Sequence, residues 1–172
     1  LMSLKSNFLI KLLCEFLVNK WLRDQLGLSF VKSAATGGAA LGPDTFKFFV
    51  NIGIPLRQLY GQTEQIGAYT IHRKGDIDFD SVGFPFDTVK IDIDKPDEEG
   101  IGEIKVNNKN CMQGYLNVKE NFLSNGWFFT GDAGYINKRG HLVVIDRMSD
   151  LSYTSQNLRY SPQYIENKLK FS

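Results

Sequence analysis

The order of elements around the first glycine turn constrains the fold of this chain more than any other feature. Residues 30–35 form an apolar run of strand length, Thr36-Gly37-Gly38 reads as a turn, and residues 43–51 read as a helix with proline in its first turn. Residues 54–59 are then a second apolar strand. Strand, turn, helix and strand in this order imply an α/β sheet whose ligand loops lie at the carboxyl ends of the strands. From Val82 onward the texture changes to short strands split by Gly, Asn and Asp, at residues 89–93, 101–106, 127–129, 134–136 and 142–145. The second half is therefore expected to be mostly antiparallel β, an α+β region. Asn137-Lys138-Arg139-Gly140 has the composition of a hairpin loop. A last helix is expected over residues 162–170, after a polar stretch, residues 149–161, that reads as a domain junction.

The most apolar stretch, residues 8–22, is interrupted by Lys11, Glu15 and Lys20 and followed by Arg23. It falls short of the ~18 consecutive apolar residues that a membrane span needs. Lys11, Glu15, Asn19 and Arg23 recur every four residues and form one polar ridge on a helix, with Phe8, Leu9, Leu12, Leu13, Phe16 and Leu17 over the rest. This reads as a largely buried helix. The alternative is a membrane-surface helix, a peripheral contact suited to an enzyme of lipid substrates.

With 20 Lys+Arg against 19 Asp+Glu the chain has no basic surface for a phosphate backbone, so nucleic acid is not expected as a partner. Cys14 and Cys111 lie far apart, and His72 and His141 are the only histidines. A disulfide scaffold, a zinc ribbon and a histidine-based metal site are thereby excluded, and a reducing cytoplasm fits. The chain begins at Leu1 and ends directly after a helical pattern, so it is expected to be a piece of a longer protein.

Four short segments carry types suited to chemistry. Residues 37–42 have the glycine spacing of a nucleoside-triphosphate loop, but Pro43-Asp44 stands where Lys-Ser/Thr is needed. Adjacent glycines at a strand end do let a flat ring approach the backbone. In Tyr60-Gly61-Gln62-Thr63-Glu64, a ring can stack on a base, a hydroxyl can bond a phosphate oxygen and a carboxylate can hold Mg²⁺, while Gly61 leaves the approach open. A polar loop opening a helix or strand fits that run equally well. Thr130-Gly131-Asp132 ends an aromatic strand with a carboxylate able to accept both hydroxyls of a ribose, though Asp after Gly is commonly a turn residue. Asp146-Arg147 ends the next strand with a guanidinium suited to a ribose hydroxyl or phosphate, or to a surface salt bridge.

In this order the segments resemble the adenylate-forming superfamily and, within it, the long-chain fatty acid–CoA ligases. The matching runs are Gly37-Gly38-Ala39-Ala40-Leu41, Tyr60 through Glu64, Val82-Gly83-Phe84-Pro85, Gly102-Glu103-Ile104 with Gly114-Tyr115, and Gly126-Trp127. They continue through Thr130-Gly131-Asp132, Gly140-His141-Leu142, Asp146-Arg147 and Ser161-Pro162-Gln163-Tyr164-Ile165-Glu166-Asn167. The resemblance implies that Tyr60 stacks on adenine with Gly38 and Ala39 on its other side, and that Gly61 keeps the approach open. It implies that Thr63 contacts the α-phosphate, that Glu64 places Mg²⁺, and that Asp132 holds the ribose hydroxyls with Arg147 beside it. Thr63 and Glu64 would be the catalytic pair. Ile66, Gly67 and Ala68 follow where the family builds its acyl channel. The implied substrates are a fatty acid, ATP and coenzyme A, with acyl-AMP as intermediate.

Two family regions are missing from the sequence: the Ser/Thr/Gly-rich loop ending in Pro-Lys-Gly, and the C-terminal catalytic lysine. The chain is accordingly read as the C-terminal portion of an acyl-CoA synthetase-like large domain, residues 1–148, followed by the hinge and start of a small C-terminal domain, residues 149–172. Ser149 stands at the hinge position, where Asp or Lys is usual, and Gln156-Asn157 stands where glycine is usual. Alternatives are an acyl-AMP ligase loading a carrier protein and a non-catalytic adenylate-binding module. A sheet cut at Leu1 would expose apolar faces, so either self-association, as in a homo-oligomer, or partial disorder of the first helix and of residues 149–172 is expected.

Overall fold

The computed structural model describes residues 12–39, 41–118, 123–156, 159–162, 165–166 and 169. Phe8, Leu9 and Lys11 of the first expected helix, Ala40, Asn157, and Gln163, Tyr164, Asn167 and Lys170 of the last expected helix lie outside the described residues. The chain divides into two units, Leu1–Ala35 with Pro43–Leu56, and Thr36–Gly42 with Arg57–Ser172.

In the first unit a π-helical turn, Glu15–Asn19, runs into helix α1, Lys20–Gln25. Helix α2 is Pro43–Asn51, as its proline start predicts. It ends in a Schellman turn: Gly53, at φ +88°, donates its N–H to Val50 O, and Ile54 donates to Phe49 O, each at 3.0 Å. The polar ridge expected on the first helix is real, but it faces inward. Asn19 Nδ2 donates to Glu15 Oε2 at 3.1 Å and to Asn51 O at 3.5 Å, while Arg23 bonds Glu15 at 2.5 Å and donates to Ile52 O. These are carbonyls at the C-terminal end of α2, where unpaired acceptors and the helix dipole favour a cation. The expectation of a largely buried helix is therefore corrected. Because the ridge takes the inward side, Phe16, Leu17 and Trp21 stay exposed, and the buried apolar residues among the described residues of the unit are Phe46, Ile52, Ile54 and Leu56. No helix among the described residues is long and apolar enough to cross a membrane.

Strand β1 is Ala34–Thr36, later than expected, because the chain is still turning at Phe30, which is almost fully exposed. Strand β2, Leu56–Gln62, lies in the second unit from Arg57 on and pairs antiparallel with β3, Gly67–Ile71, which pairs with β4, Phe84–Pro85. Strand β3 is not foreseen by the sequence reading, which treats Ile66-Gly67-Ala68 only as channel residues. A five-stranded antiparallel sheet contains β5, Val89–Asp94, β6, Gly102–Asn108, β7, Leu123–Ser124, β8, Trp127–Ile136, and β9, Leu142–Arg147. Its order is β5-β6-β8-β7, with β9 also on β8. The two short strands expected at 127–129 and 134–136 are one strand, β8, because the Thr130–Asp132 stretch between them bulges without leaving the sheet. The 137–140 loop closes the β8–β9 hairpin as predicted, with Gly140 at φ +82°. Strands β10, Ser152–Tyr153, and β11, Arg159–Tyr160, form a separate ribbon.

The core of this unit is Tyr69, Val82, Val89, Ile104, Val106 and Leu142. The two sheets are stitched together at Val82-Gly83: Val82 donates to Leu142 O at 2.9 Å, and Leu142 donates to Gly83 O at 2.8 Å. A Cβ at Gly83 would lie 2.2 Å from the Ile71 carbonyl carbon, so glycine is required where the backbones cross.

Beside this crossing lies a buried polar chain. The Gln58 N–H donates to His72 Nδ1 at 3.1 Å, which puts the proton of the neutral ring on Nε2, and Nε2 faces Asp78 O and Ser81 Oγ, each at 2.9 Å. Ser81 Oγ lies 2.9 Å from His141 Nδ1, and His141 Nε2 lies 3.2 Å from an Asp76 carboxylate oxygen. Burial holds His72 down to about 4, with His141 adding to the effect and Asp78 and Asp76 opposing it. Unfolded, the ring takes its proton near the ordinary value of 6.5, so between that pH and about 4 the unfolded chain binds more protons and stability falls as acid is added. The expected loss across that window is roughly 3 kcal/mol. Urea unfolding followed from neutral to acid pH should show this slope, and His72→Gln, which cannot titrate, should flatten it. An unchanged slope in that variant would assign the acid sensitivity to another group.

Candidate functional site

Two backbone irregularities aim side chains at one point. At the end of β2 the register with β3 passes from Tyr60↔Thr70 to Gly61↔Ala68, leaving Tyr69 without a partner residue. A Cβ on Gly61 would lie 2.1 Å from Gly67 O, so only glycine permits this approach. Tyr60 and Gln62, two residues apart on a strand, point to the same side. On β8 the pairs Lys105↔Phe129 and Glu103↔Ala133 leave Thr130, Gly131 and Asp132 opposite Ile104 alone. Gly131 takes φ +71°, the Thr130 hydroxyl donates to Ile104 O at 2.8 Å, and the Asp132 N–H donates to that hydroxyl at 3.1 Å. Thr130 and Asp132, two residues apart on the strand, are both buried. Arg147 stands opposite Asp132 in the β8–β9 register.

The Asp132 carboxylate is the meeting point. Its Oδ2 accepts from the Tyr60 hydroxyl and from Gln62 Nε2 at 3.0 Å, and its Oδ1 accepts from Arg147 Nη1 at 3.0 Å. Gln62 Nε2 and Arg147 Nη1 also converge on Thr130 O, at 2.9 and 3.1 Å. Asp132 is only 7% exposed, and burial pushes its carboxyl above the ordinary range even though Tyr60 and Arg147 pull it down. Burial, Tyr69 and Asp132 all push the Tyr60 phenol upward, so it remains a hydroxyl donor. The ring of Tyr60 meets Tyr69 edge-on, with centroids 5.2 Å apart.

Glu64 follows in the 3₁₀ turn Thr63–Gln65. The Tyr115 hydroxyl donates to Glu64 Oε1 at 2.7 Å, and the Met112 N–H donates to Glu64 O at 2.9 Å. Tyr115 holds the Glu64 carboxyl below its usual range, with the turn's own backbone and the Arg147 charge acting in the same sense. Among the described residues no group of three or more His, Cys, Asp and Glu could hold a metal ion. A single carboxylate still suits Mg²⁺, which is commonly held by one or two carboxylates together with substrate phosphates and water.

Of the residues singled out in the sequence, Tyr60, Asp132 and Arg147 are joined directly, and Gly61 makes their approach possible. Thr63 is exposed one turn further on, and Glu64 is linked to the group through the charge of Arg147. Gly38 and Ala39 are exposed on a loop that rests on β2, where a Cβ at Gly37 would meet Leu59 Cδ1 at 2.2 Å. They take no part in the hydrogen bonds around Asp132. Gln62 and Tyr115 stand within the motif runs but take no role from the sequence; strand alternation about Gly61 is the signal that could have given Gln62 one. Replacing Tyr115 with Phe should raise the Glu64 pKa toward that of an ordinary glutamate. A carboxyl-carbon NMR titration measures this, and an unmoved Glu64 would give the dominant influence to Arg147 or the backbone.

Comparison with known proteins gives the family and the fold. Residues 8–116 match the family described as AMP-binding enzyme. A long-chain-fatty-acid–CoA ligase of Gallus gallus is 32% identical over 162 residues, 92% of this chain and 21% of the relative. A 2-succinylbenzoate–CoA ligase of Staphylococcus epidermidis is 31% identical over 140 residues, 77% of this chain and 29% of the relative. Among solved structures, o-succinylbenzoate CoA synthetase from Bacillus subtilis in complex with its acyl-adenylate intermediate superposes with a TM-score of 0.75 at 26% identity, covering 90% of this chain and 34% of that one. The chain thus spans between a fifth and a third of the length of these proteins. The fold is that of an acyl-CoA synthetase fragment, and the chain belongs to the family of AMP-binding enzymes.

Proposed function

We propose that the protein carrying this chain activates a fatty acid with ATP as acyl-adenylate and transfers the acyl group to coenzyme A. The observation that carries the reading is the buried Asp132 carboxylate, assembled from the Tyr60 and Asp132 motifs with Arg147. A carboxylate of this kind suits a vicinal diol, and it would accept hydrogen bonds from the ribose hydroxyls. Tyr60 and the exposed Gly38–Ala39 loop would flank the adenine, and the Thr63 hydroxyl would donate to the α-phosphate. Glu64, kept ionised by Tyr115, would provide the protein ligand to Mg²⁺. Bound Mg²⁺ supplies electrostatic stabilisation of the charge that develops on the phosphate. Thr63 and Glu64 are the residues proposed to act at the reacting phosphate, with Ile66, Gly67 and Ala68 leading into the acyl channel.

Fatty acid is preferred as the substrate because the long-chain-fatty-acid–CoA ligase matches 92% of this chain, against 77% for the succinylbenzoate ligase. The second of these relatives makes an aromatic acid the alternative. We further propose that residues 1–148 belong to the large domain and residues 149–172 to a hinge and the start of the small one, with Ser149 at the pivot.

In the full-length protein, acid-dependent exchange of pyrophosphate into ATP should be supported by long-chain fatty acids and not by aromatic acids. The reverse preference would move the assignment to an aryl–CoA ligase. Asp132→Ala should weaken nucleotide binding by ~1.5–3 kcal/mol, the range for hydrogen bonds to a charged group. Unchanged affinity would remove Asp132 from the nucleotide site. Ser149→Pro should slow transfer to coenzyme A more than pyrophosphate exchange, since fixing one dihedral restricts rotation between the half-reactions. Equal loss of both would place the pivot elsewhere.

A further inference from the structure

The carboxylate of Asp132 offers about four acceptor directions. The Tyr60 hydroxyl and Gln62 Nε2 fill those of Oδ2, and Arg147 takes one of Oδ1. One direction is open, while a ribose diol brings two donors. At least one of the present donors must therefore yield when a diol binds, and the three are not equally able to do so. Tyr60 holds by a single hydroxyl, and the Arg147 side chain is 55% exposed. Gln62 differs from both. Its amide nitrogen has two hydrogens and two acceptors, Asp132 Oδ2 at 3.0 Å and Thr130 O at 2.9 Å. Turning the amide over would set Oε1 against two oxygens, so the acceptors themselves fix its orientation. Oε1 is buried and has no hydrogen-bond partner.

We infer that Gln62 is a positioning residue: it clamps the Asp132 carboxylate and the Thr130 carbonyl to the end of β2, so that the acceptor stays aimed while the other donors exchange with the ribose. This rests on the proposed reading of Asp132 as the ribose acceptor. Gln62 acts through Asp132 and not on the nucleotide, because its free oxygen is buried. Gln62 has no role by sequence pattern alone, and the clamp gives a physical reason for an amide between Gly61 and Thr63.

Calorimetric titration of the full-length protein with AMP and with 2′,3′-dideoxy-AMP tests it. The wild type should prefer AMP by about tenfold or more, the equivalent of roughly 1.4 kcal/mol. Gln62→Leu should cut that preference several-fold and leave dideoxy-AMP affinity unchanged, and Asp132→Ala should abolish it. In the Asp132→Ala background Gln62→Leu should have no further effect. Gln62→Met, unbranched and of similar length, replaces the leucine variant if that variant loses its thermal transition. Equal weakening of both nucleotides, an intact preference, or an effect that persists without Asp132 would overturn the clamp. If Asp132→Ala leaves the preference for AMP in place, the ribose reading itself falls, and the role of Gln62 falls with it.

Discussion

A carboxylate removed from water is tolerated only when its oxygens are occupied, and Asp132 sets that condition for the whole second unit. The usual cost of burying a lone carboxylate is several kcal/mol, enough to unfold a small domain. Three donors from two strands offset it: Tyr60 and Gln62 from β2, and Arg147 from β9. The compensation is incomplete, which is why the acid remains easier to protonate than a free aspartate. A site of this kind is poised to gain from further donors. Ground-state imperfection of this sort is what a ligand with matching hydroxyls can relieve.

The donors reach Asp132 because regular β structure is interrupted at two places. Strand alternation already puts Phe128, Thr130 and Asp132 on one buried face. The bulge, held by the Thr130 hydroxyl between Ile104 O and the Asp132 N–H, sets three residues against Ile104 and leaves Asp132 opposite Arg147. Gly61 does the corresponding work on β2, where a side chain would collide with the turn back into β3. Each glycine is thus explained by a backbone distance or dihedral and by a polar group that it puts in place.

What the sequence could disclose follows from the range of the interactions involved. Helix α2 is local, with proline at its start and glycine past its end, and it appears where predicted. Strands with alternating burial, such as β6, are recognisable for the same reason. On the first helix periodicity identifies a polar ridge but not what the ridge faces; Asn51 and Ile52 are far along the chain and supply the missing carbonyls. Asp132 was legible as a carboxylate beside glycine, and Tyr60 as an aromatic at a strand end. Their hydrogen bond was not, since it joins residues 72 positions apart through two bulges that no local pattern encodes.

The residues after β9 are fastened to the same group. Met148 donates its N–H to Gly131 O at 2.8 Å, and Asp150 and Leu151 donate to Arg147 O at 3.1 and 3.2 Å. The turn that leaves β9 therefore holds on one side the glycine preceding Asp132 and on the other the arginine paired with it. If the chain pivots at Ser149, the rotation must either turn about bonds beyond Leu151 or strain the Gly131 bulge. In the second case the angle between Arg147 and Asp132 changes along with it. Arg147 also lowers the Glu64 carboxyl, so a shift of its guanidinium reaches both carboxylates of the site. A pivot here would thus be coupled to the proposed nucleotide site through main-chain hydrogen bonds and one shared charge, without any long-range path.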